Sequence, residues 1–347
     1  MKIKAFITHK KAEHYSNCQD RFCISKDGLI VALSDGMTSN TLYPEIWAGL
    51  LTEAYIKSEG KWDNDILTLC RKDWDKAVHD KLDERKSKGD RNVWRLENSI
   101  AMKQSAGATL CGICIDGNAK WIGHVIGDST IIECKNNKIE RICTSEDKPF
   151  DNYPDYLDSI SKGRGEIKEF NGSIDENSFL LLVSDPFSEF FDKHKENSTK
   201  YLEEILSLDS HEDFLKLVED WRLQGMHNDD STLIIIQHSK ENYVKQDDIE
   251  YLIKKEKEGT HASQTIVIGS SNQREPIIEE KEEEKSKEVS SKNTSACSVE
   301  LLLENIITTI CSVLGGLNKK AKDKIRKKIK ELLENFLKEY DNTSRSS

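Results

Sequence analysis

The chain lacks the long apolar segment and the surplus of positive charge that mark two large classes of protein. No run of about eighteen apolar residues occurs in its 347 residues, so no segment is predicted to span a bilayer. Residues 1–9 are strand-like and too short and polar for the apolar core of a secretory signal, which favours a cytoplasmic location. The net charge of −11 argues against general binding of nucleic acid, because neutralising phosphates requires an excess of Lys and Arg.

Cysteine occurs in an odd number, nine, without an export signal, which indicates reduced thiols. Two of these residues, Cys111 and Cys114, have the C-x-x-C spacing of zinc and redox sites. They lie in a strand-like run over 109–115, where residues three apart point to opposite faces. No second C-x-x-C pair completes a zinc site in the sequence, so we predict that these cysteines pack in a core.

Five short aspartate motifs follow one another in the sequence, and four of them adjoin strand-like apolar runs. The motifs are Asn-Cys-Gln-Asp at 17–20, Ser-Asp-Gly at 34–36, Gly-Asp-Ser at 127–129, Ser-Asp-Pro at 184–186 and Asp-Asp-Ser-Thr at 229–232. Taken singly, each motif is more typical of a turn or a helix cap. Carboxylates that converge from several strand ends repel one another, and the usual solution is a hard divalent cation with oxygen ligands. The ordered set therefore predicts metal-assisted hydrolysis without a side-chain nucleophile.

The order and the residues of these motifs, together with Gly-Ala-Thr-Leu at 107–110, resemble those of the PP2C family of metal-dependent Ser/Thr protein phosphatases, and of its compact bacterial branch in particular. The resemblance covers residues 1–240. It implies an α+β fold, a four-layer α-β-β-α sandwich of two mainly antiparallel sheets flanked by helices. It also implies that two Mn²⁺ or Mg²⁺ ions activate a water that hydrolyses phosphoserine or phosphothreonine on a partner protein, and that no phosphoenzyme forms. A cognate Ser/Thr kinase is the expected second partner.

The resemblance also assigns roles to individual residues. Asp35 would bridge the two tightly held metals, Asp20 would bind or orient the attacking water, and Asp128 would hold a weaker third metal. The full set of metal ligands that it implies is Asp20, Asp35, Gly36 through its carbonyl, Asp128, Asp185 and Asp229.

Three departures from the family pattern stand out. Tyr15 occupies the position where many members have an arginine that holds substrate phosphate, and His14 and Arg21 are the nearby candidates for a weak phosphate contact. The loop Gly-Met-Thr-Ser at 36–39 lacks the histidine that is sometimes proposed as leaving-group acid. Pro186 replaces a glycine after Asp185 and constrains that residue. These departures leave an alternative open, a catalytically weak module that binds or senses a phosphoprotein.

The pattern of apolar residues divides the chain into three parts. Residues 1–240 alternate strand-like and helix-like segments, with a loop region over 146–175, and form the predicted phosphatase domain. Residues 241–297 are rich in Glu and Lys and predict a charged flexible linker. Residues 298–340 have two amphipathic stretches around a Gly-Gly pair and predict a helical hairpin, which would fold back, self-associate or dock a partner.

Thr265 lies within the linker, at the start of a short apolar island. A threonine followed by aliphatic residues in a flexible segment is accessible to a kinase, so Thr265 is a candidate phosphorylation site that could engage a phosphothreonine-binding module. The alternative is that residues 265–269 add an edge strand to the catalytic domain.

Overall fold

The computed structural model describes residues 1–38, 41–145 and 154–259, and the backbone of residues 265–269. The described strands are β1 Lys2–Thr8, β2 Arg21–Ile24, β3 Ile30–Ser34, β4 Gly107–Ala108, β5 Leu110–Ile115, β6 Lys120–Ile126, β7 Thr130–Lys135, β8 Lys138–Cys143, β9 Leu157–Asp158, β10 Lys168–Ser173, β11 Ser178–Val183, β12 Ser231–Gln237, β13 Tyr243–Asp247 and β14 Thr265–Gly269. The described α-helices are α1 Pro44–Lys57, α2 Asn64–Ser87, α3 Val93–Ala101, α4 Asp185–Lys193, α5 Ser198–Ser207, α6 His211–Leu223 and α7 Ile249–Lys257.

Two large sheets form the centre of the domain. One has seven strands in the order β14-β13-β1-β12-β11-β7-β8, and the other has five in the order β10-β6-β5-β3-β2. Every described strand pair is antiparallel except β1 with β13, and β4 pairs with β9 in a small separate sheet. The connectivity is therefore that of two mainly antiparallel sheets, as predicted.

The side chains of the central strands point alternately into two different cores. In β12, Leu233 and Ile235 pack with the aromatic faces of α4, α5 and α6, whereas Ile234 and Ile236 pack between the two sheets. The other face of the five-stranded sheet packs against α1 and α2 through residues such as Trp47. Because both faces of these strands are buried, their sequences are continuous apolar runs. The predicted four-layer α-β-β-α sandwich is confirmed.

Local sequence signals explain where two of the longer helices begin. Asp63 caps α2 by accepting from the Asp65 and Ile66 amides. Ser210 and Asp213 form a capping box at the start of α6, with each side chain bonded to the other residue's backbone amide. Helix α6 places Trp221 in the core between the seven-stranded sheet and α4, α5 and α6, which is called the outer core below.

Helix α4 and strand β10 are among the elements that the sequence did not predict. Helix α4 begins at Asp185 itself, and Pro186 lies in its first turn, where a missing amide proton and a fixed φ suit a helix start. Strand β10 lies inside the region predicted as a loop over 146–175, of which residues 146–153 fall outside the described part. This strand is at the edge of its sheet and has few buried side chains, so its sequence has no apolar alternation.

The folded domain also continues past residue 240, where the linker was predicted to begin. Strand β13 pairs with β1, and α7 places Leu252 in a small core with Ile7, Tyr15 and Cys18. Few apolar residues suffice for this docking, which is why composition alone suggested a linker. Strand β14 pairs with β13, in agreement with the edge-strand alternative for residues 265–269.

The predicted helical hairpin over 298–340 lies outside the described residues. Within the described part, no helix combines the length and the apolar character needed to cross a bilayer.

Candidate active site

The aspartates of the five motifs lie at strand ends of both sheets and share one electrostatic environment. Asp35 follows β3 and Asp128 follows β6 in the five-stranded sheet, whereas Asp185 follows β11 and Asp229 precedes β12 in the seven-stranded sheet. Asp20 precedes β2. Burial raises the pKa of Asp35 well above its usual value, and the charges of the four other aspartates raise it further. All five carboxylates are therefore close enough to interact electrostatically, and Asp35 is affected by the charges of the other four.

Burial and repulsion between neighbours also shift the titration of Asp20 and Asp185. Asp20 is fully buried, and its pKa is raised to about 7, first by burial and then by the charge of Asp230. The pKa of Asp185 is raised well above its usual value by burial and then by the charges of Asp128 and Asp229. Carboxylates in this environment favour either bound protons or a bound cation.

Hydroxyl side chains within the motifs tie the motifs to one another. The Thr109 hydroxyl accepts a hydrogen bond from the Asp35 amide at 3.1 Å and lies 2.7 Å from the Ser129 hydroxyl. The Thr232 hydroxyl donates to Asp20 Oδ2 at 2.7 Å, and the Thr232 amide donates to the Ser184 hydroxyl. The Ser and Thr residues beside the aspartates therefore fix the carboxylate-bearing backbones relative to each other.

A side chain would clash at Gly127 and would be crowded at Gly36. Gly127 has φ +93°, and a Cβ there would lie 2.5 Å from the Thr109 side chain. A Cβ at Gly36 would lie 3.0 Å from the Gln19 carbonyl oxygen and from Pro44. The loops that carry Asp20 and Asp35 thus approach closely at Gly36. The role of the Gly36 carbonyl as a metal ligand stays a prediction.

Asp230 is a residue whose role the sequence analysis missed. It is buried, and its two oxygens accept hydrogen bonds from the Lys10 amide at 2.9 Å and the Gln19 amide at 2.7 Å. The second aspartate of the Asp-Asp pair therefore holds both ends of the loop between β1 and β2, whereas the first faces the carboxylate cluster. The two consecutive aspartates were the sequence feature that could have indicated this supporting role.

Lys10 is a second residue that the sequence analysis missed. Its ammonium lies 2.8 Å from Asp229 Oδ1 and donates to the Thr38 hydroxyl at 3.0 Å. Burial lowers the pKa of Lys10, but the charges of Asp229, Asp230 and Asp35 outweigh this effect and raise it. A permanent positive charge is thus present at the edge of the carboxylate cluster.

His227 is a third residue that the sequence analysis missed. It lies in the loop between α6 and β12, two residues before Asp229, and its side chain is exposed. One atom each from His227, Asp185 and Asp229 could hold a metal ion, since these atoms all lie within 4.8 Å of one another. A histidine two residues before the last motif was the sequence feature that could have indicated this residue.

The residues of the cluster fit the divalent cations that the resemblance implies. Asp20 Oδ1 and Asp185 Oδ1 are buried and have no hydrogen-bond partner. A buried acceptor without a partner costs about 1–3 kcal/mol, and a cation would remove that cost for a carboxylate. Most of the potential metal ligands in the cluster are carboxylate oxygens, and Mg²⁺ and Mn²⁺ prefer oxygen ligands.

The two predicted phosphate contacts have other partners in the structure. His14 Nδ1 lies 3.2 Å from Glu256 Oε1 of α7. The Arg21 guanidinium donates to the main-chain carbonyls of Cys18 and Asp20. Tyr15 points into the domain, where its hydroxyl lies 2.9 Å from His211 Nε2. A lysine in the same loop, Lys10, lies beside one of the motif carboxylates, Asp229.

Comparisons with known proteins give similarity in structure only. No family model and no curated protein sequence matches the chain. Among solved structures, the chain is similar to the Mycobacterium tuberculosis serine/threonine phosphatase PstP/Ppp, with 17% identity, a TM-score of 0.44, and coverage of 68% of this chain and 99% of that one. It is also similar to a bacterial serine phosphatase, with 16% identity, a TM-score of 0.47, and coverage of 69% and 99%. The photosystem II phosphatase PBCP is a third similar structure, with 14% identity, a TM-score of 0.44, and coverage of 68% of this chain and 98% of that one. In structure as in motif order, the chain is similar to serine/threonine phosphatases of the PP2C type.

Proposed function

We propose that this chain hydrolyses phosphoserine and phosphothreonine on partner proteins with the help of two tightly bound divalent cations, Mn²⁺ or Mg²⁺, and a weaker third. The observation that carries the proposal is the convergence of five aspartates from both sheets around Asp35, with buried carboxylate oxygens that lack a donor. When bound, the pair of cations would supply a water acidic enough to act as nucleophile near neutral pH. Under this proposal, the phosphorylated protein and a cognate kinase are the partners.

The motif aspartates would have different roles in this reaction. Asp35 would contact both tight cations, Asp185 and Asp229 would complete one of the two sites, and Asp128 would hold the third cation. Asp20, which is held by the Thr232 hydroxyl, would orient the attacking water and accept its proton.

Lys10 would bind the substrate phosphate. Its amide is fixed by Asp230, so its side chain starts from a rigid loop, and its ammonium already lies between the Asp229 and Thr38 side chains. A metal ion bound to Asp229 would replace the Lys10 ammonium there, and the ammonium would then be available to a phosphoryl oxygen of the substrate. Lysine binds phosphate as a point charge, without the bidentate fork of arginine.

The proposal is tested by metal-dependent turnover of a phosphothreonine peptide. We expect activity with Mn²⁺ or Mg²⁺ and loss of activity in chelator. We expect Asp35→Asn to lower kcat by more than about a hundredfold, the scale on which loss of one preorganised electrostatic group acts. Asp83→Asn is the matched control, because it removes an exposed carboxylate on α2 that is remote in sequence from every motif. Undiminished activity of the Asp35→Asn variant would overturn the mechanism.

One observation supports the alternative, a weakly catalytic module that binds or senses a phosphoprotein. Tyr15 stands where an arginine would bind substrate phosphate, and its side chain is buried against His211. Binding of the phosphopeptide to metal-loaded protein without turnover would favour this alternative. Turnover that depends on Lys10 would exclude it.

A further inference from the structure

We infer that His227 is a nitrogen ligand of the cation held by Asp185 and Asp229, and that this position therefore selects a first-row transition-metal dication over Mg²⁺. The inference rests on the proposed function, because it takes that cation to be present. It concerns a residue that the PP2C resemblance does not assign. It follows from where the loop between α6 and β12 places an imidazole.

The geometry suits a shared ion. Ligand atoms on opposite sides of a cation with bonds of about 2.1 Å lie about 4.2 Å apart, and adjacent ones lie closer. The relevant atoms of His227, Asp185 and Asp229 are all within 4.8 Å of one another, so side-chain movements of less than about 1 Å would let them share one ion with bonds of about 2.1 Å.

The backbone on both sides of His227 is anchored. The Met226 side chain is buried in the outer core, and the Met226 amide donates to the Trp221 carbonyl at 2.9 Å. Asn228 Oδ1 accepts from the Lys11 amide at 2.8 Å, and the Arg222 guanidinium donates to the Asp229 carbonyl at 2.7 Å. The loop therefore presents His227 from a fixed position, although the imidazole itself is exposed.

Two further observations indicate a cation at this point. Asp185 Oδ1 and fully buried Asp20 Oδ1 have no hydrogen-bond donor. The Lys10 ammonium lies 2.8 Å from Asp229 Oδ1, so one of the three proposed ligands already has a positive charge beside it. A surface histidine with no role beyond solubility would account for neither observation.

The donor set then determines which ion binds best. Oxygen ligands alone suit Mg²⁺, Ca²⁺ and Mn²⁺ alike. An imidazole adds affinity for first-row transition metals, of which Mn²⁺ is the weakest binder, and adds little for Mg²⁺. Neutral imidazole is a common metal ligand and loses no proton on binding when it is already neutral. Adding one nitrogen to the Asp185–Asp229 position should thus strengthen Mn²⁺ binding much more than Mg²⁺ binding.

The test uses Mn²⁺ as the probe on the full-length chain. Electron spin echo envelope modulation of the Mn²⁺-loaded protein should show coupling to nitrogen, and His227→Gln should abolish it. Since mutation of a ligand's hydrogen-bond partner alone costs 10–100-fold in metal affinity, loss of the ligand should weaken one Mn²⁺ site by at least about tenfold. Mg²⁺ affinity, measured by competition, should change less than about threefold, because imidazole contributes little to Mg²⁺ binding. His79→Gln, an exposed histidine on α2, is the control and should change none of these quantities.

The possible failures are distinguishable. Mn²⁺ that binds tightly with no nitrogen coupling, or with coupling that persists in the His227→Gln variant, would overturn this inference and leave the phosphatase proposal intact. Failure of the unmodified chain to bind either Mn²⁺ or Mg²⁺ would overturn both. Equal losses of Mn²⁺ and Mg²⁺ affinity in the His227→Gln variant would show that the residue supports the loop without selecting the metal, and would also overturn the inference.

Discussion

Replacing Asp20 with asparagine should stabilise the metal-free protein at alkaline pH, although it removes a residue of the proposed active site. Asp20 is fully buried, and its Oδ2 accepts from the Thr232 hydroxyl at 2.7 Å. Asparagine has the same size and can keep that hydrogen bond through its carbonyl oxygen. The substitution therefore removes one negative charge from the cluster and changes little else.

The magnitude follows from the pKa of Asp20, which rises from 3.8 to about 7 through burial and the charge of Asp230. A difference of about three pKa units at 1.36 kcal/mol each means that ionised Asp20 costs the folded state about 4 kcal/mol. Between pH 4 and 7 the folded state binds more protons than the unfolded state, so the free energy of unfolding falls as pH rises. The cost is absent below about pH 4 and complete above about pH 7. This free-energy cost should be absent from the Asp20→Asn variant.

The assay is urea denaturation in chelator, followed by tryptophan fluorescence at pH 5 and pH 8. At pH 8 the free energy of unfolding of the Asp20→Asn variant should exceed that of the unmodified chain by up to about 4 kcal/mol, and at pH 5 by less than about 2 kcal/mol. Asp83→Asn on the surface of α2 should shift neither value by more than about 0.5 kcal/mol. Adding Mn²⁺ should reverse the ranking at pH 8, because a ligand stabilises the fold that binds it more tightly.

A particular result would refute this reasoning. If the Asp20→Asn variant is destabilised equally at both pH values in chelator, then Asp20 is not held among like charges, and the convergence of the carboxylates is not the dominant energetic feature of the site.

Three other predictions concern separate parts of the chain. Lys10→Ala should raise KM for a phosphothreonine peptide by about tenfold or more, the value of one hydrogen bond to a charged group; Lys10→Arg should restore part of the loss, and an unchanged KM would remove Lys10 from the phosphate site. Asp128→Asn should lower turnover while Mn²⁺ titration still counts two tight sites; a lower count would show that Asp128 belongs to the tight pair. Thr265 opens strand β14, so a kinase would reach it only if this edge strand leaves β13; after co-expression with the cognate kinase, a phosphate at Thr265, detected by intact mass and peptide mapping, would support the phosphorylation site, and modification elsewhere in 260–297 with Thr265 unmodified would support the edge strand instead.

The layered fold was predictable because burial leaves a direct trace in the sequence. Strands such as β11 and β12 are buried on both faces and read as continuous apolar runs, and α2 repeats apolar residues at helical spacing. Helix α4 has nine residues and begins at the Asp185 motif. Its apolar pattern is too short to be distinguished from that of the preceding strand in the sequence. The packing of residues such as Phe187 in the core stabilises the helix.

The candidate site was predictable only in part, for a related reason. The motif aspartates recur beside strand-like runs, so their convergence could be inferred from sequence order and resemblance. Lys10, His227 and the supporting role of Asp230 arise from loops that meet only in the folded chain. The Lys10 amide and Asp230 are 220 residues apart in sequence. No local pattern indicates which lysine or histidine in such loops will face the carboxylates.

The substitution of Tyr15 for arginine is understood through the elements beyond residue 240. The Tyr15 hydroxyl, whose pKa is raised by burial, is available to donate to His211 Nε2, and His211 Nδ1 donates to Asp247 Oδ2 at 2.7 Å. Asp247 Oδ2 also accepts from the Ile7 amide, and Glu256 accepts from the Tyr15 amide at 3.0 Å.

A chain of buried hydrogen bonds therefore links the β1–β2 loop to β13, and the contact of Glu256 adds α7. An arginine at position 15 would replace the Tyr15–His211 hydrogen bond with a charge, and taking that charge out of water would cost several kcal/mol before any pairing with Asp247 or Glu256. The loop that carries Lys10 and Asp20 is thus braced by Asp247 and Glu256, which lie past the predicted domain boundary. If Lys10 binds the substrate phosphate as proposed, then Tyr15 supports the fold of this loop while Lys10 supplies its positive charge beside Asp229.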